Sequence, residues 1–446
     1  MKKVTCFFDR PAGQIHPQHG FVGYPEGLTV HYGTTDEVDS NHLTGSADAA
    51  EADYVDQLFR EIGCPVIRLK DRKSRGYGKK IEIPYVFRDF DKDPADSANW
   101  YWYVTDPFIK GMEEWAPGRK MIRLGAPRET WAPIFNGKPK DYDKWADLCV
   151  RYIRHVNGDG EGELNANVGY WEIWERADDP LHWSGGTAED YYELYGAAAR
   201  AIRATFPDLK VGGPAAAMTG GDTAFLQGFL AYVKENDLPC DFVSWNYYGE
   251  DPEEAIRLAE RVRELVREAD LPGEVEITND AWNCMTIDGR GFFAVPHVND
   301  MQGAAFGAAF MIGMQLTGMD FSAYYECDKS LPWTGLVHPW FIEPNKPLFS
   351  FVAFSRLYKL GTEAAAEVEG DGVYALAAAK DGADGVMISL FNGEPDEITV
   401  EFGSRKKRKV YLLDDWHDLM EMYETEEEST VIRTEGYTVL LILSAE

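Results

Sequence analysis

The spacing of apolar residues switches repeatedly between a strand pattern and a helix pattern along most of the chain. Short apolar runs are each followed by a longer stretch in which apolar residues recur every three or four positions, as on one face of a helix. About eight such units fit into roughly 340 residues, which is the size and order of a (β/α)8 TIM barrel. A doubly wound open sheet is the alternative, but no glycine-rich phosphate loop supports it.

The strand and helix patterns predict the elements of this barrel, which we expect to span residues 20–362. Strands are predicted at 28–32, 65–70, 120–124, 169–175, 210–214, 241–245, 274–280 and 321–328. Helices are predicted at 50–62, 102–115, 141–156, 187–206, 223–234, 251–269, 301–316 and 349–360. The order predicts that the carboxyl ends of the strands form the functional face.

From about residue 370 the helix pattern is absent and only strand patterns remain. Strands are predicted at 373–379, 385–391, 397–402, 409–413 and 430–443, with the turn signals Asp381-Gly382 and Asn392-Gly393 between them. These strands predict a C-terminal β-sandwich domain, 363–446. Residues 1–19 are assigned to the same domain, because an N-terminal strand at 4–8 can add to its sheet.

The stretch 169–180 combines aromatic and acidic residues at the end of a predicted strand. Alternation places Tyr170, Glu172 and Trp174 on one face and Trp171, Ile173 and Glu175 on the other. An aromatic ring can cover the apolar face of a sugar while a carboxyl contacts its hydroxyls or the glycosidic oxygen. The stretch therefore indicates a sugar site, although a core strand with solvent-facing polar residues has the same pattern.

Composition and charge exclude several classes of partner. The chain has 75 acidic and 44 basic residues, so its formal net charge is -31, which disfavours nucleic acid and anionic membranes as partners. No apolar run reaches the length of a membrane span, and no signal peptide is recognisable at the start. The six scattered cysteines and nine histidines lack metal-ligand spacing. We expect a cytoplasmic protein without a cofactor or metal; the sequence leaves its oligomeric state open, a homo-oligomer included.

Several short motifs in the barrel resemble family 39 glycoside hydrolases, which comprise β-xylosidases and α-L-iduronidases. These motifs are Trp171-Glu172-Ile173-Trp174, Tyr142-Asp143-Lys144-Trp145-Ala146, Val211-Gly212-Gly213-Pro214, Asp241-Phe242-Val243-Ser244-Trp245 and Lys346-Pro347. The resemblance spans about residues 28–362 and implies a clan A barrel with an appended β-sandwich. It also implies an acid/base in a Trp-Asn-Glu-Pro turn after the fourth strand and a nucleophilic Glu at the end of the seventh.

Both of these catalytic positions differ from the family pattern. Arg176 stands where the family has its acid/base, and a guanidinium does not release a proton near neutral pH. Asn279 stands where the family has its nucleophile, and an amide cannot form the glycosyl ester. Carboxyls lie one residue away in each case, so we predict Glu175 and Asp280 as the catalytic residues, with a water-mediated, inverting route favoured if the pair is shifted. A one-residue shift along a strand can also turn a side chain away from the pocket.

Other polar and aromatic residues at the strand ends are predicted to bind substrate. Lys70, Arg123 and Arg176 follow three consecutive strands and are proposed to form an anion-binding wall; alternatively, each pairs with an acid such as Glu172, Glu175 or Asp178. The remaining predicted contacts are Trp174, Asn246, Tyr248, Asn279, Trp282 and Glu326. The leading hypothesis is a glycoside hydrolase with a rearranged carboxylate pair, acting on a small glycoside that carries an anionic group. The alternatives are an inactive carbohydrate-binding or regulatory barrel, and a different lyase or isomerase reaction on a sugar.

Overall fold

The structure is a computed structural model in which a closed barrel precedes a β domain. It describes residues 2–25, 46–70, 81–125, 137–158, 164–287, 293–294, 296–327, 335–338 and 343–445. Strand β1 (Lys2–Gln14) precedes the barrel. The barrel strands are β2 (Gly20–Val22), β3 (Val66–Leu69), β4 (Arg119–Leu124), β5 (Tyr170–Ile173), β6 (Lys210–Ala216), β7 (Phe242–Gly249), β8 (Glu276–Cys284) and, after the short pair β9 (Thr286–Ile287) and β10 (Phe293–Ala294), β11 (Phe321–Tyr324).

The eight barrel strands are parallel, and the sheet closes where β11 pairs with both β2 and β8. This confirms the predicted TIM barrel and excludes the open sheet. The position of the first strand was wrong: β2 supplies it, whereas the predicted segment at 28–32 lies outside the described residues. The first strand is tightly packed between its neighbours. A side chain in place of Gly20 would collide with Val66 and with the Ser322 carbonyl.

The described helices mostly follow the barrel strands as expected. They are α1 (Ser46–Ile62), α2 (Ile83–Val86), α3 (Thr105–Trp115), α4 (Tyr142–Asn157), α5 (Ala188–Thr205), α6 (Ala224–Glu235), α7 (Pro252–Ala269), α8 (Met301–Leu316) and α9 (Lys346–Tyr358). Their starts have a local chemical cause: Asp141 caps α4, and Thr187 forms a capping box with Asp190 at α5. Among the helices in the described ranges, none is long and apolar enough to cross a membrane.

Side chains inside the barrel form a lower apolar layer and an upper polar layer. The lower layer consists of Val66, Met121, Tyr170, Phe242 and Phe321. Two residues further along three of the same strands, Arg68, Arg123 and Glu172 occupy the interior, and all three are almost fully buried. The carboxyl end of the barrel therefore has a charged interior above an apolar base.

The C-terminal domain is one nine-stranded, mostly antiparallel sheet that includes β1. Its other strands are β12 (Thr362–Glu369), β13 (Val373–Lys380), β14 (Ala383–Leu390), β15 (Asp396–Glu401), β16 (Arg408–Leu413), β17 (Asp418–Thr425), β18 (Ser429–Thr434) and β19 (Thr438–Ser444). Pairing of β1 with β12 and β15 confirms that the N-terminal strand joins this sheet. The predicted single strand at 430–443 is wrong, since two strands separated by three residues occupy it.

Helix α8 lies between the barrel and the C-terminal sheet. Its residues from Met301 to Gln315 are nearly all buried, which explains why the helix is apolar on every side. On the sheet side, the Ser389 hydroxyl donates a hydrogen bond of 2.7 Å to the Ala305 carbonyl. Tyr374 in β13 donates one of 2.7 Å to Glu253 in α7. These contacts fit the expectation that the β domain packs directly on the barrel.

Candidate active site

A change of backbone conformation after β5 brings two glutamates into the barrel interior. The strand ends at Ile173, and Trp174 has a φ of 64°, in the left-handed region. Alternation therefore breaks at Trp174, which turns outward to pack on Trp145 and Trp183. Glu175 then faces inward together with Glu172. The prediction that Glu172 and Trp174 share a face was wrong because it assumed that the strand continues.

Arg68 in β3 is the centre of the buried charged cluster. Its guanidinium donates to Glu172 through Nε at 2.9 Å and through Nη2, and it contacts Glu175 at 3.2 Å. Its Nη2 also lies 2.8 Å from Asp280 Oδ2. Arg68, Glu172 and Asp280 are 0% exposed and Glu175 is 2% exposed. One guanidinium thus contacts carboxyls from the fourth barrel strand and the turn after it, and from the seventh barrel strand.

Glu175 has two further cationic partners. Lys70 Nζ lies 3.1 Å from Glu175 Oε1, and Arg123 forms an ion pair with Glu175 Oε2. Arg123 also pairs with Glu82, a buried carboxyl just before α2. Three cations from two strands therefore surround one carboxylate. This arrangement fixes the position of Glu175 and offsets its charge.

Asp280 faces the barrel interior beside a β-bulge in β8. Trp245 in β7 pairs with Asn279, whereas the next residue, Asn246, pairs with Ala281, so Asp280 is an extra residue in β8. Asn246 donates a hydrogen bond of 2.6 Å to Asp280 Oδ1. Thr278 pairs with Ser244, two residues after Phe242 of the lower layer, so strand alternation places the Asp280 carboxyl inside the barrel.

The surroundings shift the pKa values of two carboxyls of the cluster in opposite directions. Burial alone would raise the pKa of Glu175, but Lys70 and Arg68 outweigh it and lower that pKa to about 2. Burial raises the pKa of Asp280 well above its usual value, against the opposing effect of Arg68 and with a further upward contribution from Glu172. Glu175 is therefore ionised at neutral pH, whereas the surroundings of Asp280 favour its protonated form.

Arg176 lies in a separate ion pair near the cluster. Its Nη2 donates a hydrogen bond of 3.0 Å to Asp179, which also contacts His182 Nδ1 at 3.1 Å. Asp178, considered as a partner of the cations, instead accepts hydrogen bonds from the backbone of Ala217 and Met218. Lys70 and Arg123 meet at Glu175, but Arg176 does not join them there. All three residues of the proposed anion wall are engaged with acids, as in the alternative interpretation.

Two tyrosines lie between Lys70 and Arg176 at the top of the barrel interior. Tyr248 and Tyr325 contact edge to face at 5.9 Å. Lys70 Nζ lies 4.5 Å from the Tyr325 ring centre, and the Arg176 guanidinium lies 5.5 Å from that of Tyr248. The predicted contact Glu326 follows Tyr325 and is 1% exposed. Within the described ranges, this tyrosine pair provides an aromatic surface beside Lys70 and Arg176.

The structure places two predicted substrate contacts away from the barrel interior. Trp174 is enclosed between Trp145 and Trp183, and Trp282 stacks on Phe310 at 4.1 Å; both are almost fully buried. Trp282 turns outward because the bulge shifts the alternation of β8 by one residue. Asn279 is also fully buried, and neither atom of its amide has a described hydrogen-bond partner. Both tryptophans thus face the helix layer, which does not favour their predicted sugar contacts.

Sequence reasoning missed Arg68 and Glu82 and assigned Glu172 no direct role. An arginine within the apolar run Val66–Leu69, two residues before Lys70, signals that the interior face of β3 becomes polar. Glu82 has no comparable signal, because it reaches the barrel from a long connection rather than from a strand end. Across the described ranges, no group of His, Cys, Asp or Glu could hold a metal ion.

Sequence comparison supports a relationship over the middle of the chain. Residues 119–271 match the model of glycosyl hydrolases family 39. A β-xylosidase of Geobacillus stearothermophilus is 30% identical over 152 residues, and one of Caldicellulosiruptor saccharolyticus is 32% identical over 146 residues. These matches cover 30% and 29% of this chain and the same shares of the two relatives. The chain thus matches less than a third of the length of either curated relative.

Structural comparison extends the likeness to the whole fold. A glucosidase of Croceicoccus marinus has a TM-score of 0.74 at 21% identity, and the match covers 100% of this chain and 99% of that one. A monomeric β-xylosidase of Caulobacter crescentus has a TM-score of 0.68 at 17% identity, with the same coverage. At such identities the likeness shows the fold alone. Similarity to glycosyl hydrolases family 39 in sequence is therefore limited to residues 119–271.

Proposed function

We propose that the chain is a glycoside hydrolase that works through Glu175 and Asp280. The observation that carries this proposal is the Arg68 contact, which holds carboxyls from the fourth and seventh strand ends in one cluster at the functional face of the barrel. Since the two family positions hold Arg176 and Asn279, these neighbouring carboxyls are the groups available for the reaction. The matched β-xylosidases support glycosidic-bond hydrolysis as the reaction class.

The electrostatics favour distinct roles for the two carboxyls. Protonated Asp280 is suited to donate a proton to the glycosidic oxygen, and ionised Glu175 is suited to act on the anomeric carbon or on a water. Their oxygens lie 3.2 and 2.8 Å from the same Arg68 nitrogen, so the nearest pair is closer than the roughly 6.5–9.5 Å of inverting enzymes. This separation favours the retaining geometry over the inverting route expected from the sequence.

The narrower proposal is that the substrate is a small glycoside with an anionic group. Lys70 and Arg123 are largely offset by Glu175, so this preference rests on Arg176. Its Nε is buried and has no described hydrogen-bond partner, while Nη2 is held by Asp179. A carboxylate, sulfate or phosphate beside Arg176 would supply the missing acceptor.

Turnover of aryl glycosides tests the reaction class. We expect hydrolysis of at least one neutral or uronate glycoside, and a loss of about 10²–10⁴-fold in kcat/KM in Asp280→Asn, the typical contribution of a general acid. Glu175→Gln should lower kcat by a similar factor. Trp282→Phe, a change in the outer layer of the barrel, is the control. Full activity of both carboxyl variants would contradict the proposed pair.

A carbohydrate-binding barrel without turnover is the second candidate. It is favoured by one observation: both carboxyls are buried and already paired, with Glu175 held by Lys70, Arg68 and Arg123. Thermal shift with the same glycosides separates the two candidates, since binding without hydrolysis supports the second. Matched neutral and anionic sugars test the charge preference. Arg176→Ala should weaken anionic ligands roughly ten- to a hundredfold and neutral ligands far less; equal binding of both by the parent protein contradicts an anion site.

A further inference from the structure

We infer that Glu172 and Asp280 share one proton inside the barrel, and that Glu172 is the positioning residue that keeps this proton on Asp280. The inference deepens the proposed function, and it rests on that function only for the use of the Asp280 proton in hydrolysis. The shared proton itself is a property of the folded chain without a ligand.

The contacts of Arg68 are the first support. Among the described residues, Arg68 is the one cation in contact with Glu172 or Asp280, and it reaches both through the same nitrogen, Nη2. One positive charge thus faces two carboxyls that are both 0% exposed. Glu175 also contacts Arg68, but Lys70 and Arg123 offset its charge. Two buried anions on one guanidinium would leave an uncompensated charge, and a single proton removes it.

The hydrogen-bonding capacity of two buried oxygens is the second support. Glu172 Oε1 has no described hydrogen-bond donor, and the described contact of Asp280 Oδ2 is Arg68 Nη2 at 2.8 Å. An ionised carboxylate is only an acceptor, whereas a protonated one can also donate. A side-chain hydrogen bond between Glu172 and Asp280 therefore needs a proton on one of them. That proton lets the two carboxyls bond to each other in addition to their contacts with Arg68.

The surroundings place the proton on Asp280 rather than on Glu172. Glu172 receives two hydrogen bonds from Arg68 and one from Ser244, all of which favour its ionised form. Burial opposes this effect but is outweighed, so the pKa of Glu172 is lowered while that of Asp280 is raised. The other titratable or charged groups near the pair are Lys70, Arg123, Glu175, Arg176, His182 and Tyr191.

The pH dependence of unfolding tests this inference without a substrate. The folded parent binds one proton that the unfolded chain releases above a pH of about 4, so this proton makes stability fall as pH rises toward the pKa of the folded pair. Glu172→Gln leaves Asp280 alone with Arg68, which favours its ionised form. The unfolding constant of the parent divided by that of Glu172→Gln should therefore rise by up to tenfold per pH unit in this window.

A second variant and a matched control complete the experiment. Asp280→Asn should remove the same proton and show the same difference from the parent. Glu175→Gln also removes a carboxylate from Arg68, but the pKa of Glu175 is about 2, so the difference between parent and this control should be much smaller above pH 4. Parent, Glu172→Gln and Asp280→Asn unfolding with identical pH slopes would overturn the shared proton.

The pH profile of turnover tests the role of the proton separately. If Asp280 is the acid, Glu172→Gln should move the alkaline limb of kcat to lower pH while KM changes little, and Glu172→Asp should move it partly back. An altered stability slope with an unmoved alkaline limb would retain the shared proton but overturn the positioning role. Absence of turnover in the parent would count against the proposed function and leave the unfolding result as the decisive measurement.

Discussion

The lower and upper layers of the barrel interior are built by the same strands but are stabilised in different ways. In β3, β4 and β5 the lower residues are Val66, Met121 and Tyr170, and two positions further the upper residues are Arg68, Arg123 and Glu172. Apolar contacts in the lower layer need no specific partner beyond a good fit. Each charged group in the upper layer needs a particular opposite charge. The upper layer can therefore hold reactive groups, but a single change there affects several residues.

Removal of Arg68 should break the upper layer and have the largest effect. Arg68→Met leaves Glu172 and Asp280 without a cation, so we expect a loss of about 3–5 kcal/mol in the free energy of unfolding at pH 7. The paired glutamates have lowered pKa values, so their stabilisation is present above a pH of about 4.3 and is lost as pH falls through those values. The deficit of the variant should shrink over that range in urea titrations. A deficit that is the same at about pH 4.5 and about pH 2.5 would contradict this account.

Truncation in the lower layer should cost somewhat less and should not depend on pH. Met121 is 0% exposed among apolar neighbours, so Met121→Ala should lower the free energy of unfolding by about 2–4 kcal/mol through lost contacts and a cavity. Urea unfolding at pH 5 and pH 8 provides the measurement. Because no charge is removed, a deficit that varies between the two pH values would mean that the layers are not independent.

His19 provides a third case, a buried titratable group that has no opposite charge. It packs on Phe354 and Tyr358, and neither ring nitrogen has a described hydrogen-bond partner. Burial lowers its pKa to about 3. The unfolded chain takes up a proton at this residue below a pH of about 6.5. The free energy of unfolding should therefore decrease as the pH is lowered, by about 2 kcal/mol at pH 5. His19→Phe should remove this part of the pH dependence; an unchanged profile would show that His19 is not the cause.

An exposed ion pair should give the smallest effect and serves as the counterpart of Arg68. Arg433 contacts Glu397 at 2.9 Å across β15 and β18, but its side chain is 86% exposed. We expect Arg433→Met to change the free energy of unfolding by no more than about 0.5 kcal/mol. A loss comparable to that of Arg68→Met would mean that burial is not what makes the upper layer costly to disrupt.

The barrel could be predicted from the sequence because short apolar runs alternate with clear helix periods, as in α4 and α7. The site could be predicted only in part. Glu175 and Asp280 were identified as residues, but the inward direction of Glu175 depends on the left-handed backbone at Trp174, and the bulge after Asp280 reverses the direction of the residues that follow. Neither irregularity has a signal in apolar periodicity, which assumes a continuous strand. For the same reason, the two tryptophans expected at the sugar face the helices instead.

The convergence of three cations on Glu175 constrains how this site can change over evolutionary time. Lys70, Arg68 and Arg123 all contact the Glu175 carboxylate. A substitution at any of these four positions therefore changes how much the other three contribute to stability. Changing Glu175 and Arg176 to an Asn-Glu pair would leave the three cations without the partner that they share. A path toward the ordinary family site, in nature or in the laboratory, therefore depends on the order of its steps: the cations have to be replaced before, or together with, the glutamate that they hold.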